Sequence, residues 1–214
     1  MADRMERIVN GKKETVISVE LMRRSDAYTI ANFVPGAELM YRAAMGVFHA
    51  VDWHGRIAIL TGGGNNGGDG FALACILADH GISPDVFRIS ERLTEDGLHY
   101  FAQATQKGVC IRPFQESTAL THYDILVDCI LGTGFSGMVR GLARNAIQSV
   151  NVADGFVVSV DINSGLNGDT GEAELAVKSD LTVSIGYYKQ GLFAGDAAQY
   201  RKAVVNVDIG ILLI

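Results

Sequence analysis

From Ile57 onward, short apolar runs alternate with longer stretches of helical spacing, and this alternation constrains the fold more than any other feature of the chain. The runs Ile57 to Leu60, Val86 to Ile89, Ile125 to Leu131, Val157 to Val160, Leu181 to Ile185 and Val204 to Val207 are too short for amphipathic helices and read as buried strands. Between several of them, Asp69 to His80, Asp96 to Lys107 and Leu142 to Asp154 carry helical patterns. Strands separated in this way are joined as parallel neighbours by crossover helices. Two further helices are expected ahead of the first strand, at Ser18 to Asn32 and Ala37 to Val51, parted by Pro35 and Gly36. The expectation is an α/β fold, a Rossmann-like three-layer sandwich with a mainly parallel central sheet and two extra N-terminal helices. No repeat, low-complexity tract or linker interrupts the 214 residues, so they read as one domain, 1–214.

Charge and composition exclude several classes. A net charge of −6 without a Lys/Arg concentration argues against a nucleic-acid partner. No apolar run approaches the roughly 20 residues that cross a bilayer, which argues against a membrane. Met1 to Thr15 mixes acidic and basic residues around no apolar core and reads as a polar leader rather than a secretory signal. The three cysteines, Cys75, Cys110 and Cys129, form no C-x-x-C pair, so neither a disulfide framework nor a zinc site is indicated. A reducing compartment, the cytoplasm, is expected.

In an open α/β sheet, ligands bind beyond the carboxyl ends of the strands. Three segments of this chain leave predicted strands there. In the first, Thr61 to Gly70, residues Gly62, Gly64 and Gly67 satisfy G-x-G-x-x-G between a strand and a helix. Glycine permits left-handed backbone and close approach of a ligand, and the next helix start offers free N–H groups to phosphate. A plain tight turn would explain the glycines but not Asn65, Asn66 and Asp69. The second segment, Asp128 to Met138, places Asp128 inside an apolar strand, where an ionised carboxylate needs a partner or a cation. Its alternative is a carboxylate that caps a neighbouring loop. The glycine-rich stretch after it can form an anion nest, with Thr133 and Ser136 adding hydroxyls. The third, Val160 to Gly171, sets Asp161 at a strand's carboxyl end like a catalytic carboxylate, against the alternative of an Asx-turn. Asp169 and Thr170 are expected to shape the turn.

Together these segments resemble the epimerase domain of the NAD(P)H-hydrate repair family, the YjeF N-terminal domain family. The resemblance rests on Gly64 to Gly70, Asp128 to Gly134, Asp161 to Gly171, Lys189 with Gly191, and Asp208-Ile209-Gly210. It implies an isomerase whose substrate is NADH or NADPH hydrated at C6, interconverting the R and S forms so that a separate NAD(P)H-hydrate dehydratase can restore the S form. By matching, Asn65, Asn66, Gly67, Gly68 and Asp69 would hold the substrate. Gly132, Thr133, Gly134, Phe135, Ser136, Gly137 and Met138 would hold it as well, with Asp161 at the reactive end. It also implies a potassium ion on Asn66, Asp128 and Ser164, an all-oxygen set suited to a hard cation. Inversion can run by protonated loss of water to an iminium-like cation and re-addition on the other face. Asp161, free of the ion, is expected to exchange the proton and to stabilise the cation. Lys189 is either a phosphate or orienting contact or an exposed loop lysine. The resemblance leaves a homodimer open.

The chain departs from the family pattern where Asn163 and Gln190 stand in place of prolines, and where Tyr41 and Ala44 replace Glu and Gly. Asn163 is expected to loosen the third loop. Two other readings compete. The G-x-G-x-x-G spacing with Glu91 would suit a nicotinamide-dependent dehydrogenase, but no loop histidine is placed as its acid. A non-catalytic binding module of the same fold would not need Asp161, Asp128 and Asn66.

Overall fold

The computed structural model describes residues 2–214. The chain begins with a hairpin, β1 (Arg4–Val9) and β2 (Lys12–Ile17), turned by Asn10 and Gly11 at φ 49° and 78°. Residues 2–15, expected as a polar leader, are therefore largely strand. Its charges lie on the hairpin's exposed positions, and only pairing with a distant strand reveals the inward ones. Next come α1 (Val19–Asn32) and α2 (Gly36–Ala50), then β3 (Ile57–Thr61), α3 (Asn65–Asp79), β4 (Asp85–Arg88), α4 (Glu95–Gln106) and β5 (Cys110–Pro113). The chain continues through β6 (Ile125–Cys129), α5 (Gly141–Asn151), β7 (Phe156–Val160), β8 (Ser179–Ile185), β9 (Tyr188–Lys189), a 3₁₀ turn (Gln190–Phe193), α6 (Ala197–Tyr200) and β10 (Arg201–Val207).

Seven strands form one sheet in the order β10-β8-β7-β6-β3-β4-β5, and every pairing in it is parallel. Alternation along the central strands explains the layers. Ile57, Ile59, Ile125 and Val127 face a core closed by α2, α3 and α4, whereas Ala58, Leu60 and Leu126 face Ala146, Ile147 and Val150 of α5. Both faces are covered, so the strands read as continuous apolar runs. Two helices do precede the sheet. Ser18 caps α1 by accepting from Leu21 N at 3.1 Å, and Asp169 of the third segment accepts from Val19 N at 2.7 Å. Asp169 thus ties α1 to the loop beyond β7. The hairpin joins β9 as a second, three-stranded sheet over a core of Val16, Ile162, Leu166 and Tyr188.

Near β10 the α5 side of the sheet turns polar. Asn163, fully buried, donates to Val177 O at 2.9 Å, Ser179 Oγ at 2.9 Å and Tyr200 O at 2.8 Å, and accepts from Thr182 Oγ1 at 2.8 Å. The expected loosening of the third loop is overturned: the amide makes more ties than a proline ring could. Asn163→Ala should lower stability by about 2–3 kcal/mol, because it leaves buried partners unsatisfied. A shift of the urea midpoint at unchanged slope would measure this, and a loss under about 0.5 kcal/mol, typical of a surface change, would contradict it.

Candidate active site

The Gly62–Gly67 turn is built for close approach. A Cβ on Gly62 would lie 1.8 Å from Ile130 O, and one on Gly67 would lie 2.1 Å from Gly62 O. Gly62 therefore lets the first loop pack backbone to backbone against the second, Gly67 lets that loop close on itself, and neither needs the left-handed region. Helix α3 starts at Asn65, so Asn65 to Gly68, expected in a loop, form its first turn. The first helical bond is Gly68 N to Gly64 O at 3.2 Å, which leaves the amides of Asn65, Asn66 and Gly67 without backbone partners at the helix's positive end.

Strand β6 ends at Cys129 rather than Leu131. Asp128 within it is fully buried and meets four donors. Ser159 Oγ donates to Oδ2 at 2.8 Å, Ser164 N to Oδ2 at 2.9 Å, Ile130 N to Oδ1 at 3.2 Å, and Ser164 Oγ to Oδ1. Neutral donors thus supply what the sequence left to a charge. Burial pushes the Asp128 carboxyl up, and the Ser164, Ser159 and Ile130 hydrogen bonds pull it part of the way back. Ser164 Oγ also reaches Leu131 O at 3.0 Å, the same carbonyl that accepts from Asn66 Nδ2 at 3.0 Å. Asn66 Oδ1 is buried with no partner.

Between these loops and the N-terminal helices lies a cavity of about 650 Å³. Asn65, Asn66, Asp69, Gly132 to Phe135 and Asp161 line it, as do Asp26, Asp96 and Lys189. None of the five histidines does. Gly67 and Gly68 are buried in α3, while Ser136, Gly137 and Met138 are exposed on the outer stretch of their loop and do not line the cavity. Asp161 sits at φ 68°, a left-handed conformation that few non-glycine residues adopt and that recurs at functional positions. The turn is fixed by Asp161 N bonding Val183 O at 2.7 Å.

The pattern described as YjeF-related protein N-terminus matches residues 36–191. The chain belongs to this family. Among relatives of the YjeF N-terminal group, the NAD(P)H-hydrate epimerase of Limosilactobacillus fermentum is 34% identical over 205 residues, 91% of this chain and 97% of that one. The bifunctional NAD(P)H-hydrate repair enzyme Nnr of Methanothermobacter thermautotrophicus is 39% identical over 193 residues. That match takes in 83% of this chain and only 37% of the longer enzyme. The crystal structure of yeast ynu0 shares the fold, with a TM-score of 0.69 at 23% identity over 89% of this chain and 86% of that one.

Of the two alternatives for Lys189 in this YjeF-family chain, the exposed loop lysine is excluded: its side chain is 1% exposed, and its ammonium pairs with Asp161 Oδ1 and bonds Ile185 O at 2.7 Å. Asp161 is therefore not free. Its Oδ1 is held by Lys189 and, at 3.3 Å, by Ile185 N. Tertiary structure also adds Asp26 and Asp96, from α1 and the start of α4, which no motif marked; a half-buried Asp on an amphipathic helix gives no sequence signal of its own. Burial and the neighbouring Asp161 and Asp26 carboxylates push the Asp69 carboxyl well above the usual range, against a pull from Lys189. Raised in the folded state, this group makes the fold bind more protons than the unfolded chain above the ordinary carboxylate range, so stability falls there as pH rises. Asp69→Asn removes that slope. It should raise the thermal midpoint at neutral pH by about 2–4 °C per kcal/mol relieved, and an unchanged or lower midpoint at neutral pH would contradict the assignment.

Proposed function

We propose that the chain is an NAD(P)H-hydrate epimerase, interconverting the R and S forms of NADH or NADPH hydrated at C6. The observation that carries this reading is one cavity with two opposed chemistries. Unpartnered helix-start amides and a glycine loop suit the substrate's pyrophosphate. Carboxylates grouped around Lys189 suit a cation that develops on a ring. The names of the relatives agree with it.

The hydroxyl at C6 stands beside the ring nitrogen, whose lone pair expels it once the oxygen is protonated, giving an iminium-like cation. Water then adds to the other face and returns a proton, so the reaction balances without oxidant or reductant. Asp161, paired with Lys189, stabilises the cation and accepts the proton of the incoming water. The apolar wall of Leu39, Met40 and Ile130 strengthens that attraction by lowering the local dielectric. The deciding assay supplies the R-hydrate with an S-specific dehydratase, with and without this protein, and subtracts spontaneous epimerisation. Acceleration of the R-form's consumption is expected, and a rate equal to the spontaneous one would overturn the reading.

A potassium ion on Asn66, Asp128 and Ser164 belongs to the same proposal. Its support is the orphaned Asn66 Oδ1, the meeting of Asn66 and Ser164 at one carbonyl, and a wholly oxygen donor set. Bound there, the ion would fix the first and second loops and supply a permanent positive charge beneath the substrate. Replacing potassium by tetramethylammonium should lower the thermal midpoint, and Asn66→Ala should abolish the difference. Equal midpoints in both salts would rule the site out. A dehydratase as functional partner and a cytoplasmic setting complete the reading. The setting is supported by three unpaired cysteines and by the lack, among the described residues, of any helix long and apolar enough to cross a membrane.

A further inference from the structure

Loss of the C6 hydroxyl requires a proton donor, and Asp161 is poorly suited to be one. Its Oδ1 already accepts from the ammonium of a lysine that is itself almost wholly buried and from Ile185 N. Two other carboxyls open on the same cavity. Asp26 projects from the middle of α1 and Asp69 from the second turn of α3, and neither has a hydrogen-bond or ion-pair partner among the described residues. Both are half-buried rather than solvated. Every other half-buried or buried aspartate on this cavity or beneath it has partners or lies at its rim: Asp128 has four donors and Asp161 has Lys189, while Asp96 stands at the start of α4 beside Gly36.

We propose that Asp26 is a further catalytic residue, acting with Asp69 as a carboxyl pair that carries the proton exchanged with the C6 oxygen. The inference rests on the epimerase reading and assigns that reaction its acid. The charged groups that line the cavity with Asp26 are Asp161, Lys189, Asp69, Asp96 and Arg23, and Arg23, on Asp26's own helix, is engaged by Glu20 at 2.8 Å. Four carboxylates, Asp26 included, and one ammonium in a partly buried space leave an excess of negative charge. Retaining one proton on the Asp26–Asp69 pair relieves it, as like-charged neighbours generally do. Burial first, then Asp161, raises the Asp26 carboxyl, with Lys189 opposing and Asp96 adding to it. In the forward step the C6–O bond breaks, its electron pair leaves with the oxygen, and the pair's proton goes to that oxygen to form water. The ring nitrogen's lone pair completes the C=N bond. On return, water forms a new C6–O bond on the other face, and its proton passes through Asp161 or directly to the pair, which ends as it began. The two carboxyl environments thus divide the labour: the lysine-paired Asp161 for the cation and the Asp26–Asp69 pair for the leaving oxygen.

Asp26→Asn, Asp69→Asn and the double variant test this in the whole protein, beside thermal midpoints to confirm folding. Each single change should lower kcat by about 10²-fold or more, the scale of general acid catalysis. The double should fall little further, because groups acting as a unit are not additive. The alkaline limb of the kcat/KM profile should move to lower pH in Asp26→Asn, since Asp69 then loses a like-charged neighbour. A readout without turnover separates this proposal from the function itself: ¹³C-carboxyl NMR of labelled aspartates should show one group titrating above the usual carboxylate range, displaced by Asp26→Asn. Multiplicative losses, an unmoved alkaline limb, or an aspartate spectrum unaffected by Asp26→Asn would overturn the pair. An inactive parent with that spectral shift intact would instead overturn the epimerase reading. If Asp26→Asn fails to fold, Asp26→Ser, which also lacks the carboxyl, carries the same comparisons.

Discussion

Asp161→Asn should lose about 10²–10⁴-fold of turnover per folded molecule, the range that acid/base groups contribute. The amide keeps the shape, and asparagine tolerates the left-handed φ of 68° at this position. It cannot accept a proton or oppose a cation. Removing the carboxylate also strips the counter-ion from Lys189, which is 1% exposed, so a loss of stability is expected in the same variant. Pairing it with Lys189→Met separates the two effects. The double variant exchanges the ion pair for neutral groups and should regain thermal stability while its turnover stays low. If the double variant recovers both, Asp161 is structural. Turnover of the single variant within about threefold of the parent, after subtraction of the spontaneous rate, would likewise exclude a chemical role.

Asp128→Ala is expected to have the largest effect on stability, about 3–5 kcal/mol in all, because each buried donor left without its acceptor costs about 1–3 kcal/mol. The alanine would abandon the Ser159 hydroxyl, the Ser164 and Ile130 amides and the Ser164 hydroxyl in a fully buried site. Those groups join β6, β7 and the third loop, so the loss should reach the active site as well. Urea unfolding that shows a lower midpoint at unchanged slope would measure it. Asp128→Asn should cost less, since it keeps acceptor capacity at one oxygen. A loss under about 1 kcal/mol for the alanine variant would mean that solvent reaches these donors, contrary to their burial.

Much of this architecture was legible without coordinates. The central strands and the helices between them appear where apolar runs and helical spacing placed them, because a strand covered on both faces must be apolar at nearly every position. The β1–β2 hairpin was not legible. Its burial pattern is exposed along most of β1, and its inward positions acquire meaning only through β2 pairing with β9, more than 170 residues away in sequence. Asn163 was misjudged for a related reason: its value lies in four partners drawn from the strand and turns between Val177 and Tyr200.

The sequence by itself determined the parallel α/β class, the three segments at the strand ends and the family those segments belong to, and it set Asp161 at a strand's carboxyl end. These follow from local spacing and from uncommon residues in order, which survive in one dimension. Only the tertiary structure decided the charge environment of that carboxylate. It buried Lys189 against Asp161, turned Asp26 and Asp96 toward the cavity, and satisfied Asp128 with neutral donors. The physical reason is that solvation and Coulomb interaction depend on distance and burial rather than on separation along the chain. Which carboxyl keeps its proton is therefore set by what the fold places beside it.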